Sequence, residues 1–310
     1  MLESIWADVK HAFRFGNMVT RLIFINAAVF IFINLILLIL KISGAGNTPD
    51  VFYDIVHFFS ISSSWKHNLT HPWVFFTHMF LHKDFWHVLW NMLYLYWFGR
   101  ILGDLLGDRH ILPAYLLGGL FGGLVYFLAA VAFPGFGLVN SYALGASAAV
   151  MAIVVASGVA FPDYTLHLLF LGPVRLKYIV FVLVLLDLIA VTGTNNTGGH
   201  IAHLGGAFFG YLYVSQMRSR GIDWSIPVNR TLESIADFFK NIFQPSRKPK
   251  VVYRNKSKMK TAAGTQRTDK EPLSSSYQEK LDEILDKIKQ KGYESLNAEE
   301  KEFLFNASKK

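Results

Sequence analysis

A serine flanked by small residues, Gly145-Ala146-Ser147-Ala148, stands at the start of a long apolar run in this chain. A serine hydroxyl is a poor nucleophile until a base takes its proton, and neutral imidazole has a suitable pKa for that task. His203 is the candidate base. It lies in Ala202-His203-Leu204-Gly205-Gly206, with Gly210 one turn beyond, at the start of another apolar run. A third run opens with His87 and Asn91, one turn apart and so on one helix face. Their side chains, with the backbone N–H of Ser147 at a positive helix start, are donors of the kind a tetrahedral oxyanion requires. No carboxylate is obviously placed to orient His203, so the residues read as a Ser147–His203 dyad.

The elements that must position these groups are membrane spans. The chain has 310 residues, is 52% hydrophobic and 17% charged, and has a mean hydropathy of +0.32. The absence of cysteine excludes a thiolate nucleophile, a thiolate metal site and a disulfide framework. Residues 1–217 hold ten Lys and Arg against nine Asp and Glu, whereas 218–310 hold twenty against thirteen. The net charge of +8 therefore belongs mainly to the tail, and no nucleic-acid partner is expected.

Hydropathy predicts six spans, near 23–40, 86–106, 111–133, 146–161, 171–192 and 201–217. The fold class is therefore all-α: a polytopic six-helix membrane bundle with a soluble C-terminal tail. Gly118, Gly119, Gly122 and Gly123 in the third span, and Gly206 with Gly210 in the sixth, predict close helix packing. The domains expected are a polar N-terminal lead at 1–21, the membrane domain at 22–217, an amphipathic helix with a basic linker at 218–276, and a helical hairpin at 277–310. Cationic residues near the span ends favour both termini on the cytoplasmic side. On that topology the second, fourth and sixth spans begin at the outer face. His87, Asn91, Ser147 and His203 then share one depth, in the outer third of the bilayer. Polar groups in spans face the bundle interior and mark function.

Taken together, Gly145-x-Ser147, Ala202-His203-x-x-Gly206-x-x-x-Gly210 and His87-x-x-x-Asn91 resemble the rhomboid family of intramembrane serine proteases. Trp73-Val-Phe-Phe-Thr-His-Met-Phe-Leu-His82 resembles that family's first-loop segment, and the likeness covers residues 20–217. The ending LDEILDKIKQKGYESLNAEEKEFL resembles a helical module appended to some bacterial rhomboids. The resemblance implies cleavage of transmembrane protein substrates near their outer ends, from a water-filled cavity and without a cofactor. It carries over Ser147 as nucleophile, His203 as base, and His87 and Asn91 as oxyanion-side donors. It also implies a bacterial cytoplasmic (inner) membrane as the location.

The chain departs from the family pattern at Val74 after Trp73, where Arg is usual, and at Ala148 after Ser147, where Gly is common. Met151 stands where an aromatic often packs on the imidazole, and Gly103 replaces a common Glu. His200 and Asp187 read as groups at the cavity edge, and Asp187 is also at a depth from which it could orient a histidine. No His-Glu-x-x-His exists, and no catalytic metal is expected. His78 and His82 are expected to tie down the first loop. The seven basic residues from Arg247 to Lys260 predict contact with anionic lipid, and the hairpin a docking role for an unidentified partner. A non-catalytic binder of client helices and a polar-cavity transporter are the alternatives to a protease.

Overall fold

The computed structural model describes residues 7, 10–13, 16–43, 50–133, 138–193, 196–243 and 275–307. The basic stretch 247–260 lies outside the described residues. The described residues are mostly helical, with two short two-stranded antiparallel sheets, one a local hairpin and one joining distant segments. Contacts divide the chain into Met1–Ser246 and Arg247–Lys310.

In the first unit, α1 (Met18–Ile42) begins at Asn17, whose side chain accepts the Thr20 N–H. The Asp108 carboxylate accepts the Met18 N–H at 2.8 Å, placing an acidic group on the positive helix end. The first loop has structure of its own: α2 (Asp50–Phe58), β1 (Ile61–Ser62), α3 (Trp65–Thr70), α4 (Val74–Thr77) and a 3₁₀ turn at His78–Phe80. The long helices follow as α5 (Phe85–Leu106), α6 (Ile111–Ala132), α7 (Ser147–Ala160), α8 (Leu176–Ala190), α9 (Thr197–Arg220) and α10 (Ser225–Phe243). Strand β2 (Tyr142–Ala143) pairs antiparallel with β1, while β3 (Thr165–Leu168) pairs with β4 (Gly172–Arg175).

Helices α1 and the stretch Asp108–Ala132, which includes α6, are long and apolar enough to cross a membrane, and α7 is a shorter apolar helix. The other expected spans are present as helices without meeting that length and composition. Helix α5 carries Arg100 and Asp104, which pair at 3.5 Å, while α9 mixes glycine and histidine with terminal arginines. Helix α8 starts later than hydropathy predicts because 165–175 form the β3–β4 hairpin instead. Asp163 accepts hydrogen bonds from Lys177 and Arg175 beside that hairpin, and Lys177 above all holds its carboxyl below the usual carboxylate range.

Helix α7 lies at the centre. Eleven of its residues are buried, all small or β-branched, which lets α6 and α9 approach along its length. Gly118, Gly119 and Gly122 of α6 face Ala152, Ala149 and Ala148. Buried tyrosines nearby find partners for their hydroxyls, as buried phenols must: Tyr115 donates to the Met79 carbonyl at 2.8 Å, and Tyr126 bonds Ser141 at 2.7 Å. Large apolar side chains on α1, α5 and α8 point outward instead, among them Phe32, Ile39, Trp86, Trp97, Phe181 and Leu186.

The amphipathic segment after α9 belongs to the first unit. Trp224 meets Phe209 edge-on, Asp223 pairs with Arg109 at 3.2 Å, and Leu232 packs against the core. In the second unit, α11 (Ser275–Lys291) ends at Gly292, whose φ is +80°, and α12 (Ala298–Ala307) follows. Asn297 and Glu300 exchange backbone and side-chain hydrogen bonds of 2.8 Å each, the reciprocal capping box that their spacing predicts. Among the described residues of this hairpin, Ile284 and Leu296 are the buried apolar ones.

Candidate active site

Ser147 is the first residue of α7, half-buried, and lines a cavity of about 740 Å³ together with His87, Gly145, Gly199 and Ala202. Three links fix the segment that leads into it. Strand β2 pairs with β1 of the first loop, Gly145 N–H donates to the His78 carbonyl at 2.8 Å, and Ala146 N–H donates to His82 Nε2 at 3.2 Å. Gly145 has φ +122°, a conformation L side chains rarely adopt, and a Cβ there would stand 2.6 Å from the His87 ring. Glycine at 145 therefore serves both the turn and the seating of His87. As the first helical residue, Ser147 has a backbone N–H with no partner within the helix, at the positive end of the dipole.

Helix α9 brings His203 alongside. A Cβ on Gly206 would collide with the Ala148 carbonyl, and one on Gly210 with that of Ala152. The constant offset means the two helices run parallel at backbone contact. By that offset His203 is level with Gly145, two residues or about 3 Å of helix rise before Ser147. Among the described residues Ser147 Oγ makes no hydrogen bond. His203 bonds through Nδ1, which leaves Nε2 unengaged.

The partner of His203 Nδ1 is Asp187, with Oδ1 at 2.9 Å, and the same oxygen lies 2.7 Å from His200 Nδ1. Asp187 is buried, on α8. The histidine expected to act as base thus meets a carboxylate that comes from a neighbouring helix and is invisible to local spacing. The His200 contact likewise crosses between helices, from α9 to Asp187 on α8. Met151 is half-buried and packs against the main core cluster.

Asn91 is buried on α5. Its Nδ2 donates to the His87 carbonyl at 3.0 Å and lies 3.2 Å from His82 Nε2. Both of its hydrogens are thus directed at protein acceptors. His82 is the residue that sequence reasoning left outside the site. It is fully buried, edge-on to His87 at 5.1 Å, and its Nε2 faces both Asn91 and Ala146 N–H. Burial above all, then the neighbouring His87, pushes its pKa down to about 3. The signal for it was its place immediately before α5, four residues after His78. The first loop lacks the family's arginine, and Val74 is wholly buried in its place. Trp73 Nε1 donates to the Phe58 carbonyl at 2.9 Å and Thr77 Oγ1 to that of Phe59 at 2.9 Å, anchoring the loop without a charge.

Fold and site define a helical membrane protein whose serine-bearing and histidine-bearing helices are packed through glycine. Residues 69–220 match the Rhomboid domain family, and residues 275–310 match a family of unknown function, DUF6576. The chain belongs to the rhomboid family. It is 34% identical over 141 residues to RHOMBOID-like protein 12, mitochondrial, of Arabidopsis thaliana, covering 42% of each chain. It is 28% identical over 145 residues to Presenilin-associated rhomboid-like protein, mitochondrial, of Rattus norvegicus, covering 44% of this chain and 36% of the relative. The human protein of the same name matches at the same identity, with 35% of its length covered. The match spans less than half the length of each relative. These relatives are mitochondrial, which overturns the expectation of a bacterial inner membrane. The bacterial location came with the family resemblance, and the span lengths and cationic bias beside it reflect bilayer physics common to many membranes, which does not distinguish one from another.

Proposed function

We propose that this protein is an intramembrane serine endopeptidase of six membrane-embedded helices that cleaves transmembrane protein substrates. Ser147 Oγ attacks the scissile carbonyl, and His203 Nε2 takes its proton and returns it to the leaving amine. Water then deacylates the serine through the same imidazole, without a cofactor. Asp187 holds His203 in the tautomer with the proton on Nδ1, leaving Nε2 free to accept. The Ser147 N–H, the His87 imidazole and Asn91 serve the oxyanion. His82 Nε2 has one lone pair and faces two donors, so one Asn91 hydrogen is free to turn toward the substrate once Ala146 N–H takes that acceptor.

The observation that supports this reading is the parallel backbone contact of α7 and α9, the helices that carry Ser147 and His203, together with the cavity that Ser147 lines. The outward apolar residues of α1, α5 and α8 support embedding in lipid. A fluorophosphonate probe should label the full chain and fail to label Ser147→Ala. Ser147→Ala and His203→Ala should each abolish cleavage of a model membrane substrate, and cleavage retained by either would refute the dyad. A second reading, a non-catalytic holder of client helices, is favoured by the missing Ser147–His203 hydrogen bond among the described residues. It predicts client retention with no probe labelling.

A further inference from the structure

Asp187, His200 and His203 present three ligand atoms within 4.8 Å of one another, the one such group among the described residues. The two histidines are three apart on α9 and share a face, while the carboxylate comes from α8. Both Nδ1 atoms point at a single oxygen, at 2.7 and 2.9 Å. Among the described residues Asp187 has no lysine or arginine partner; its ion-pair contacts are these two imidazoles. A carboxylate buried among apolar groups, with no lysine or arginine beside it among the described residues, carries a charge that is expensive to bury, and a divalent cation would offset it. The histidine side chains keep 24% and 17% of their surface exposed, which provides a route in.

We propose that this cluster is an inhibitory zinc site. Two imidazole nitrogens, one carboxylate oxygen and a water make the four-coordinate set that zinc favours. A tetrahedral ion at ordinary bond lengths needs its ligands about 3.3 Å apart, so each Asp–His contact opens by about half an ångström. The inhibitory step follows from the tautomer. In the proposed protease His203 carries its proton on Nδ1 and accepts at Nε2. Metal at Nδ1 takes that lone pair, so the imidazole's one proton moves to Nε2, the atom that must accept the Ser147 proton. No proton is gained or lost by His203, yet the base is switched off.

The inhibitory half of this proposal rests on the protease reading; the binding half does not. The full chain in detergent should bind one zinc or cobalt ion, and cobalt should give the intense visible bands of a tetrahedral site. Zinc should suppress both substrate cleavage and fluorophosphonate labelling, and a chelator should restore both. In His200→Gln the zinc concentration for half-inhibition, measured against that variant's own basal rate, should rise by about tenfold or more, and the cobalt bands should be lost. Absence of cobalt bands in the wild type would overturn the site. Equal zinc sensitivity in His200→Gln, or binding without loss of labelling, would overturn the switch. A chain that binds cobalt yet never labels at Ser147 would sink the protease reading while leaving the metal site standing.

Discussion

At the scale of single residues, Asp187 has the most exacting position. One oxygen serves two imidazoles, and only its bond to His203 sets the tautomer that the proposed proton transfer uses. Asp187→Asn keeps size and shape but offers an amide whose N–H can turn toward Nδ1 and invert that tautomer. The expected result is a kcat lower by about 10²-fold or more, with KM little changed, since the residue acts through His203 and not on substrate. Steady-state cleavage assays of the variant check the split; a change confined to KM would assign Asp187 to substrate binding. Gly145 and Gly206 have a different kind of constraint. At both positions a side chain would meet atoms that are already in place, the His87 ring in one case and the Ala148 carbonyl in the other.

At the scale of elements, the first loop acts as the frame for the serine helix. Its two inner histidines, His78 and His82, lie buried and connect it to the residues just before Ser147. Burial pushes the His78 imidazole down to about 4 and that of His82 to about 3. Between these values and the ordinary 6.5 the unfolded chain binds more protons than the folded one. The stability from their neutral burial is therefore complete above about pH 6.5 and is lost as pH falls toward 4 and then 3. Each group contributes a slope of up to about 1.4 kcal/mol per pH unit in that window. The midpoint of thermal unfolding in detergent should drop as pH is lowered from 7 to 4.5, and less steeply in His82→Asn. A midpoint that stays flat over that interval would contradict the role given to these two side chains.

At the scale of the whole molecule, the membrane unit and the C-terminal hairpin are separate bodies, and the division falls after α10 and not after α9. The amphipathic helix docks by Leu232 and by Asn229, which donates to the Arg109 carbonyl, and Asp223 and Trp224 just before it tie down its start, so it is part of the first body. Removing residues 247–310 should accordingly spare cleavage of a model substrate in detergent. Loss of activity in that deletion would make the hairpin part of the enzyme.

The long helices, their glycine faces, and Ser147, His203, His87 and Asn91 as candidates were legible in the sequence. Each depends on local periodicity or on residue types at short spacing, which the chain carries explicitly. The pairing of Asp187 with His203, the commitment of Asn91 to His82, and the β1–β2 link that holds the approach to Ser147 were decided only by tertiary structure. Each joins residues from different elements whose side-chain directions depend on how the helices pack, and no local pattern encodes that. The fifth span marks the same limit: its expected start at 171–175 falls in the second arm of a hairpin that pairs with 165–168, with Gly172 at φ +68°, and the helix begins only at Leu176.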